Sequence, residues 1–213
     1  DCVLRHSTNS HVWKTFDEKT LDFAFNSTNV RLEFTADGFN PFRTMSISHS
    51  TWPVVLMPYN LPLWLCMKQP FFILSVLIDG PKGPGNKIDV YLQPLIEELK
   101  ELWFKRELTY DASCNQMFKL HVALLWSIND FSAYGNLLGW NTRGEKACPV
   151  CNQNTRSRWL LNGRKYCYMG HRQYLPISHK FQKDKVSFDN KREWGQAPSR
   201  LPGTEMKRQW NDI

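Results

Sequence analysis

A chain of 213 residues is long enough for one domain with a full core, or for one domain carrying a small inserted module. With 42% hydrophobic and 14% aromatic residues it has the composition of a folding chain, and no apolar run is long enough to span a bilayer. The net charge of +7 is uneven: residues 1–142 hold 12 Lys/Arg against 14 Asp/Glu, and residues 143–213 hold 15 against 6. A near-neutral first part and a basic last third suit a core with a polyanion-facing surface, for which nucleic acid is the expected partner. A solvated basic face that aids solubility is the alternative.

The chain opens Asp1-Cys2-Val3-Leu4-Arg5, with no initiator Met and no signal-peptide pattern, and is expected to be an excerpt from a longer reading frame. Residues 1–28 read as a polar, irregular lead-in. Residues 31–35 alternate and predict a strand ending at Ala36-Asp37-Gly38. Residues 52–57 form a second apolar stretch, stopped by Pro58. Residues 71–78 predict the clearest strand, too continuous for a one-faced sheet and so expected to be buried on both sides. Residues 80–86 must be a loop; without a Gly-Lys-Ser/Thr ending they are not a P-loop.

Residues 89–104 predict an amphipathic helix, with Leu92, Leu95, Ile96, Leu99 and Leu102 on one face and Glu97, Glu98, Lys100 and Glu101 toward water. Pro94 suits only a first turn, so the helix is expected to begin near Val90 or Tyr91. Residues 118–128 predict a further buried strand leading to Asp130, although their Ala, Leu and Trp would also suit a helix. After Gly139 the chain becomes loop-rich and basic.

Two carboxylates stand out by position. Asp37 follows the first predicted strand and Asp130 the fourth, in the order strand, strand, strand, helix, strand. An RNase H-like fold brings two carboxylates together on neighbouring strand ends in this way. Phosphodiester cleavage develops charge on the attacking and leaving oxygens, which two Mg²⁺ (or Mn²⁺) ions held by such carboxylates can stabilise. A turn at Asp37-Gly38 and a cap at Asp130 are the plainer readings.

Of the six cysteines, Cys66 and Cys114 read as core thiols, and only Cys148-Pro149-Val150-Cys151 is spaced for chemistry. With His171 and His179, and Cys167 as an alternate for either, the pair could complete a tetrahedral Zn²⁺ site in a segment poor in aliphatic residues. A redox or incidental cysteine pair is the alternative. His6, His11, His49 and His121 show no partner pattern. The cations expected against DNA phosphates are Arg156, Arg158, Arg164, Lys165 and Arg172.

Taken in order, several segments resemble the transposase domain of plant CACTA (En/Spm-type) elements. They are Thr35-Ala36-Asp37-Gly38-Phe39-Asn40-Pro41-Phe42, Trp52-Pro53-Val54, Pro58-Tyr59-Asn60-Leu61-Pro62 and Gly80-Pro81-Lys82-Gly83-Pro84-Gly85-Asn86. Next come Ile88-Asp89-Val90-Tyr91-Leu92-Gln93-Pro94-Leu95, Tyr110-Asp111-Ala112-Ser113 and Asn129-Asp130-Phe131-Ser132-Ala133-Tyr134-Gly135-Asn136. Gly139-Trp140, Ala147-Cys148-Pro149-Val150-Cys151 and Cys167-Tyr168-Met169-Gly170-His171-Arg172 complete the set, which spans about residues 15–205.

The resemblance implies a nuclear DDE/D transposase that cleaves at element ends with Mg²⁺ and joins the exposed 3′-OH to target DNA, self-associating in a synaptic complex. Asp37 and Asp130 match its first two catalytic carboxylates. The third is expected on a later helix, and neither Glu193 nor Glu205 is assigned to it. The expected architecture is an α/β, RNase H-like mixed sheet with flanking helices: the first part of the core over residues 29–142, a zinc-binding, loop-rich insertion over 143–182, and a basic linker over 183–213.

Some positions depart from the family pattern. Glu33 and Ala36 stand where Gly and Thr are usual, Asp79 where Pro is usual and Lys87 where an acid is usual. His179-Lys180-Phe181-Gln182 replaces a more basic ending. The rival expectations are a transposon-derived zinc- and DNA-binding protein without catalytic activity, and a structural scaffold for protein partners.

Overall fold

The chain folds, in a computed structural model that describes residues 6–42, 48–199, 202, 204, 205 and 208, as two units, residues 1–133 and 134–213. In chain order, the first unit contains α1 (His11–Lys19), α2 (Leu21–Ala24), β1 (Val30–Ala36), β2 (Ser50–Pro58) and α3 (Leu63–Cys66). It continues with β3 (Ile73–Gly80), α4 (Ile88–Phe104), β4 (Glu107–Asp111), β5 (Gln116–Leu120) and β6 (Val122–Ser127). Helix α5 (Phe131–Leu138) spans the boundary, and β7 (Ser157–Leu160), β8 (Lys165–Tyr168) and α6 (Lys180–Lys183) follow. No helix among the described residues is long and apolar enough to cross a membrane.

The alternation in residues 30–36 suits β1 to its place as one of two inner strands of a mixed four-stranded sheet of order β3-β2-β1-β6. β2 is antiparallel to both β1 and β3, whereas β6 is parallel to β1. Leu32, Phe34 and Ala36 point to one face of β1 and are buried, as are Val54 and Leu56 of β2. Helix α4 packs on β3 and β6 and contributes buried Ile88, Leu92 and Leu95.

Residues 7–24 of the lead-in are largely helical rather than irregular. Ser10 Oγ accepts the Trp13 N–H and starts α1, while Trp13 and Phe23 are buried. The Arg31 guanidinium lies 4.5 Å over the Trp13 ring and 4.9 Å over Phe23, and it pairs with Asp17. Helices this short owe their stability to such packing, which local sequence does not display.

Three further expectations change. β3 is an edge strand, with Ile73, Leu74 and Leu77 roughly half exposed and only Ile78 buried. An apolar run reports strand propensity, not the number of neighbours the strand acquires. α4 begins at Ile88, which puts Pro94 in its second turn, on an exposed side where only one backbone bond is forgone. Ile96 is 39% exposed, outside the buried stripe.

The single strand expected over residues 118–128 is two. β5 pairs with β4 in a hairpin, β6 joins the main sheet, and His121 lies between them. Arg106 and Asn115 adopt left-handed backbone (φ 61° and 53°), and the Asp111 carboxylate accepts the Ser113 N–H, so the chain can turn at both ends of the hairpin. Cys114 is exposed at this turn rather than in the core, whereas Cys66 is buried. His121 packs against Trp103 (4.6 Å) and Phe23 (4.7 Å), and burial, with the nearby Arg106 charge, lowers its pKa.

The second unit is held together largely by polar cross-links. Arg172 donates to the carbonyls of Phe181, Asp184 and Lys191 and to the Asp189 carboxylate, and it lies 4.3 Å over the Phe188 ring. Buried Gln182 donates to the carbonyls of Arg172 and Leu175. Satisfied buried donors of this kind fix loops that an aliphatic core does not reach.

Candidate functional site

β1 and β6 run parallel and side by side, so both leave the sheet at the same edge. Beyond the last paired residues, Ile128 N donates to Phe34 O (2.9 Å) and Ala36 N donates to Asn129 Oδ1 (2.9 Å). The next residue on each strand is Asp37 or Asp130. Each therefore emerges one position past a hydrogen-bonded pair, with its side chain exposed.

Each aspartate is held by local backbone. Asp37 Oδ1 accepts the Gly38 N–H at 2.7 Å, and Asp130 Oδ1 accepts the Ala133 N–H at 2.6 Å and caps α5. The cap thus coexists with the juxtaposition, whereas Asp37 and Gly38 form an irregular link between β1 and the Phe39–Thr51 bridge rather than the expected turn. Gly38 is required by close approach: a Cβ there would fall 2.3 Å from the Trp52 ring. Trp52 is itself buried, its Nε1 donates to Ser50 Oγ (2.8 Å), and a Cβ on Gly83 would meet the same indole at 2.9 Å. The link carrying Asp37 and the glycine-rich loop after β3 therefore converge on one tryptophan.

The same edge carries a group that sequence reasoning missed. Asp79, near the end of β3, accepts hydrogen bonds from His49 Nε2 (2.7 Å) and Thr51 Oγ1 (2.8 Å), and these hold its carboxyl below the usual range. His49 thus has a partner 30 positions away, a spacing that no local motif displays. Glu33, in the middle of β1, is fully buried; its Oε2 has no hydrogen-bond partner among the described residues, and burial raises its pKa to about 7.

In the second unit the structure brings together Cys148 and Cys151 of the expected zinc ligands. Cys151 N donates to Cys148 Sγ (3.4 Å), and Cys151 Sγ lies 2.9 Å from Tyr174 Oη. Burial pushes the Cys151 thiol up, and the Cys151 hydrogen bond is the first cause of the Tyr174 phenol rising to about 12. Cys167 is exposed on β8, His171 is exposed at the head of a short turn, and His179 Nδ1 accepts the Phe181 N–H and caps α6. No cluster of three or more His, Cys, Asp or Glu side chains suited to a metal occurs among the described residues. Among the described residues, Cys167, His171 and His179 do not form a metal-suited group with the cysteine pair.

The five basic residues also divide. Arg172 is spent on the cross-links above, and Arg156 binds both oxygens of Glu193 (3.0 and 3.1 Å). Arg158, Arg164 and Lys165 lie exposed on the β7–β8 hairpin.

Residues 1–213 match the family model described as transposase family tnp2. No curated protein and no solved structure gave a significant match to the chain.

Proposed function

Since the chain belongs to the tnp2 family of transposases, we propose that it carries the first two catalytic carboxylates of a CACTA-type DDE/D transposase, acting on DNA in the nucleus. The observation that carries this reading is the emergence of Asp37 and Asp130 at one sheet edge, from neighbouring parallel strands. The antiparallel β3-β2-β1 order with parallel β6 alongside supports an RNase H-like core.

Asp37 and Asp130 offer exposed hard oxygen donors, which fit Mg²⁺ or Mn²⁺. Such ions, when bound, stabilise charge on the attacking and leaving oxygens of the phosphodiester and lower the pKa of an attacking water. The chain's own part is placement: Trp52 packs against Gly38 beside Asp37, and the α5 cap fixes Asp130. Phosphates are proposed to meet Arg158, Arg164 and Lys165, while Arg156 and Arg172 hold the module that presents them. Zinc is proposed at Cys148 and Cys151, with two of His171, His179 and Cys167 drawn in on binding. The complete transposase is proposed to pair with a second copy when it brings both element ends together.

The test is Asp37→Asn and Asp130→Asn in the complete transposase. Asn remains a good helix cap, so the second variant removes charge without removing the α5 start. Each is expected to abolish strand cleavage while DNA affinity stays within about twofold, because exposed carboxylates add nothing to phosphate binding. Cleavage retained by either variant removes that residue from the site. Binding without cleavage by the unaltered protein would favour a transposon-derived DNA-binding protein.

A further inference from the structure

We propose that the β7–β8 hairpin is a binding site for unpaired nucleotides, stacking DNA bases on Trp159, Tyr166 and Tyr168 and taking phosphates with Arg158, Arg164 and Lys165. This rests on the reading of DNA as the partner and names the form of DNA that this surface takes.

In an antiparallel pair, directly opposed residues share a face. Ser157 opposes Tyr168 and Trp159 opposes Tyr166, so three aromatic rings lie on one face. Arg158 opposes Cys167 and Leu160 opposes Lys165 on the other. Trp159 is 46% exposed and Tyr168 37%, and the Trp159 and Tyr166 rings meet edge to face at 4.9 Å. The Tyr168 hydroxyl donates to Gly144 O (2.8 Å), which anchors that ring before any ligand arrives. Arg164 stands in the connecting turn in left-handed backbone (φ 46°).

The charge of the hairpin selects the partner. Residues 157–168 include three cations and no acid, so the surface complements a polyanion rather than an apolar protein face. Strands of a ribbon lie about 4.8 Å apart, narrow enough for the long Arg158 and Lys165 side chains to reach phosphates of a strand whose bases occupy the aromatic face. A duplex keeps its base faces stacked and shows only their edges in the grooves. Unpaired bases expose the π-face that an aromatic platform binds, and a basic flank with stacking rings is the combination used for single strands.

The experiment compares the 213-residue chain on a labelled blunt duplex and on the same duplex with a short single-stranded overhang, by fluorescence anisotropy at fixed salt. The unaltered chain is expected to prefer the overhang. Trp159→Ala is expected to lose that preference by about tenfold with blunt affinity unchanged, and Trp159→Phe to keep most of it. Arg158→Ala with Lys165→Ala is expected to weaken both probes. Equal losses on both probes in Trp159→Ala, or no loss, overturn the proposal. A measurement free of variant folding is photocrosslinking of 5-iododeoxyuridine in the overhang to the unaltered chain: adducts within residues 157–168 support the site, and adducts elsewhere overturn it. Absence of any DNA binding defeats the partner reading as well, whereas blunt-duplex binding without overhang preference defeats this inference alone.

Discussion

Glu33 occupies a β1 position opposite Met57 of β2 and Trp126 of β6, with its carboxyl buried. A charged carboxylate there would be desolvated without a partner, so the folded chain keeps it neutral up to about pH 7, against 4.5 for the free side chain. Below pH 4.5 both folded and unfolded states are protonated and Glu33 contributes no pH dependence. Between pH 4.5 and about 7 the unfolded state loses the proton first, so stability falls as pH rises, by a total on the order of 3 kcal/mol. Above that range the effect is flat. Glu33→Gln is expected to remove this slope, read as the difference between urea midpoints of the two proteins across the range; parallel pH profiles would show that the carboxyl is solvated. From sequence Glu33 is visible only as a departure from a family pattern, because desolvation depends on what covers a side chain.

At the scale of elements, β1, β2 and α4 were legible because their apolar periodicities are strong and are interrupted by Asp-Gly, Pro and a Gly/Pro loop. Helix α1 and the β4–β5 hairpin were not. The first is stabilised by Trp13 against Arg31, and the second depends on two non-glycine residues accepting left-handed backbone. The Cys148–Cys151 turn falls between these cases: its spacing shows in the sequence and its N–H···S contact in the structure, but no metal-suited group of three or more His, Cys, Asp or Glu forms around it among the described residues. The proposed zinc is expected at about one ion per chain in metal analysis of purified protein. It should be lost when Cys148→Ser and Cys151→Ser are combined. A well-folded chain purified without zinc would leave Cys148, Cys151 and Tyr174 as a hydrogen-bonded thiol–phenol group and nothing more.

For the whole molecule, the uneven charge predicts salt-sensitive DNA binding, and the exposed β7–β8 cations are the ones proposed to take part. Replacing Arg158, Arg164 and Lys165 together with Ala is expected to reduce the slope of log affinity against log salt by about 2–3. Arg172→Ala is expected instead to lower the stability of the second unit and to leave that slope nearly unchanged, since its donors already serve Phe181, Asp184, Asp189 and Lys191. A slope unaffected by the triple substitution would move the phosphate contacts elsewhere.

Local chemistry marked Asp37, Asp130 and the cysteine pair as candidates, and the ordered motifs around them pointed to a transposase family. These signals are carried by residue type and spacing along the chain. Only the tertiary structure decided that β1 and β6 are parallel neighbours, that Trp52 packs against the Asp37-Gly38 link, and that Arg156 is paired with Glu193 and Arg172 ties loops together while the β7–β8 cations face water. Each of these depends on contacts between residues distant in sequence, where burial and partner supply, rather than composition, set what a side chain does.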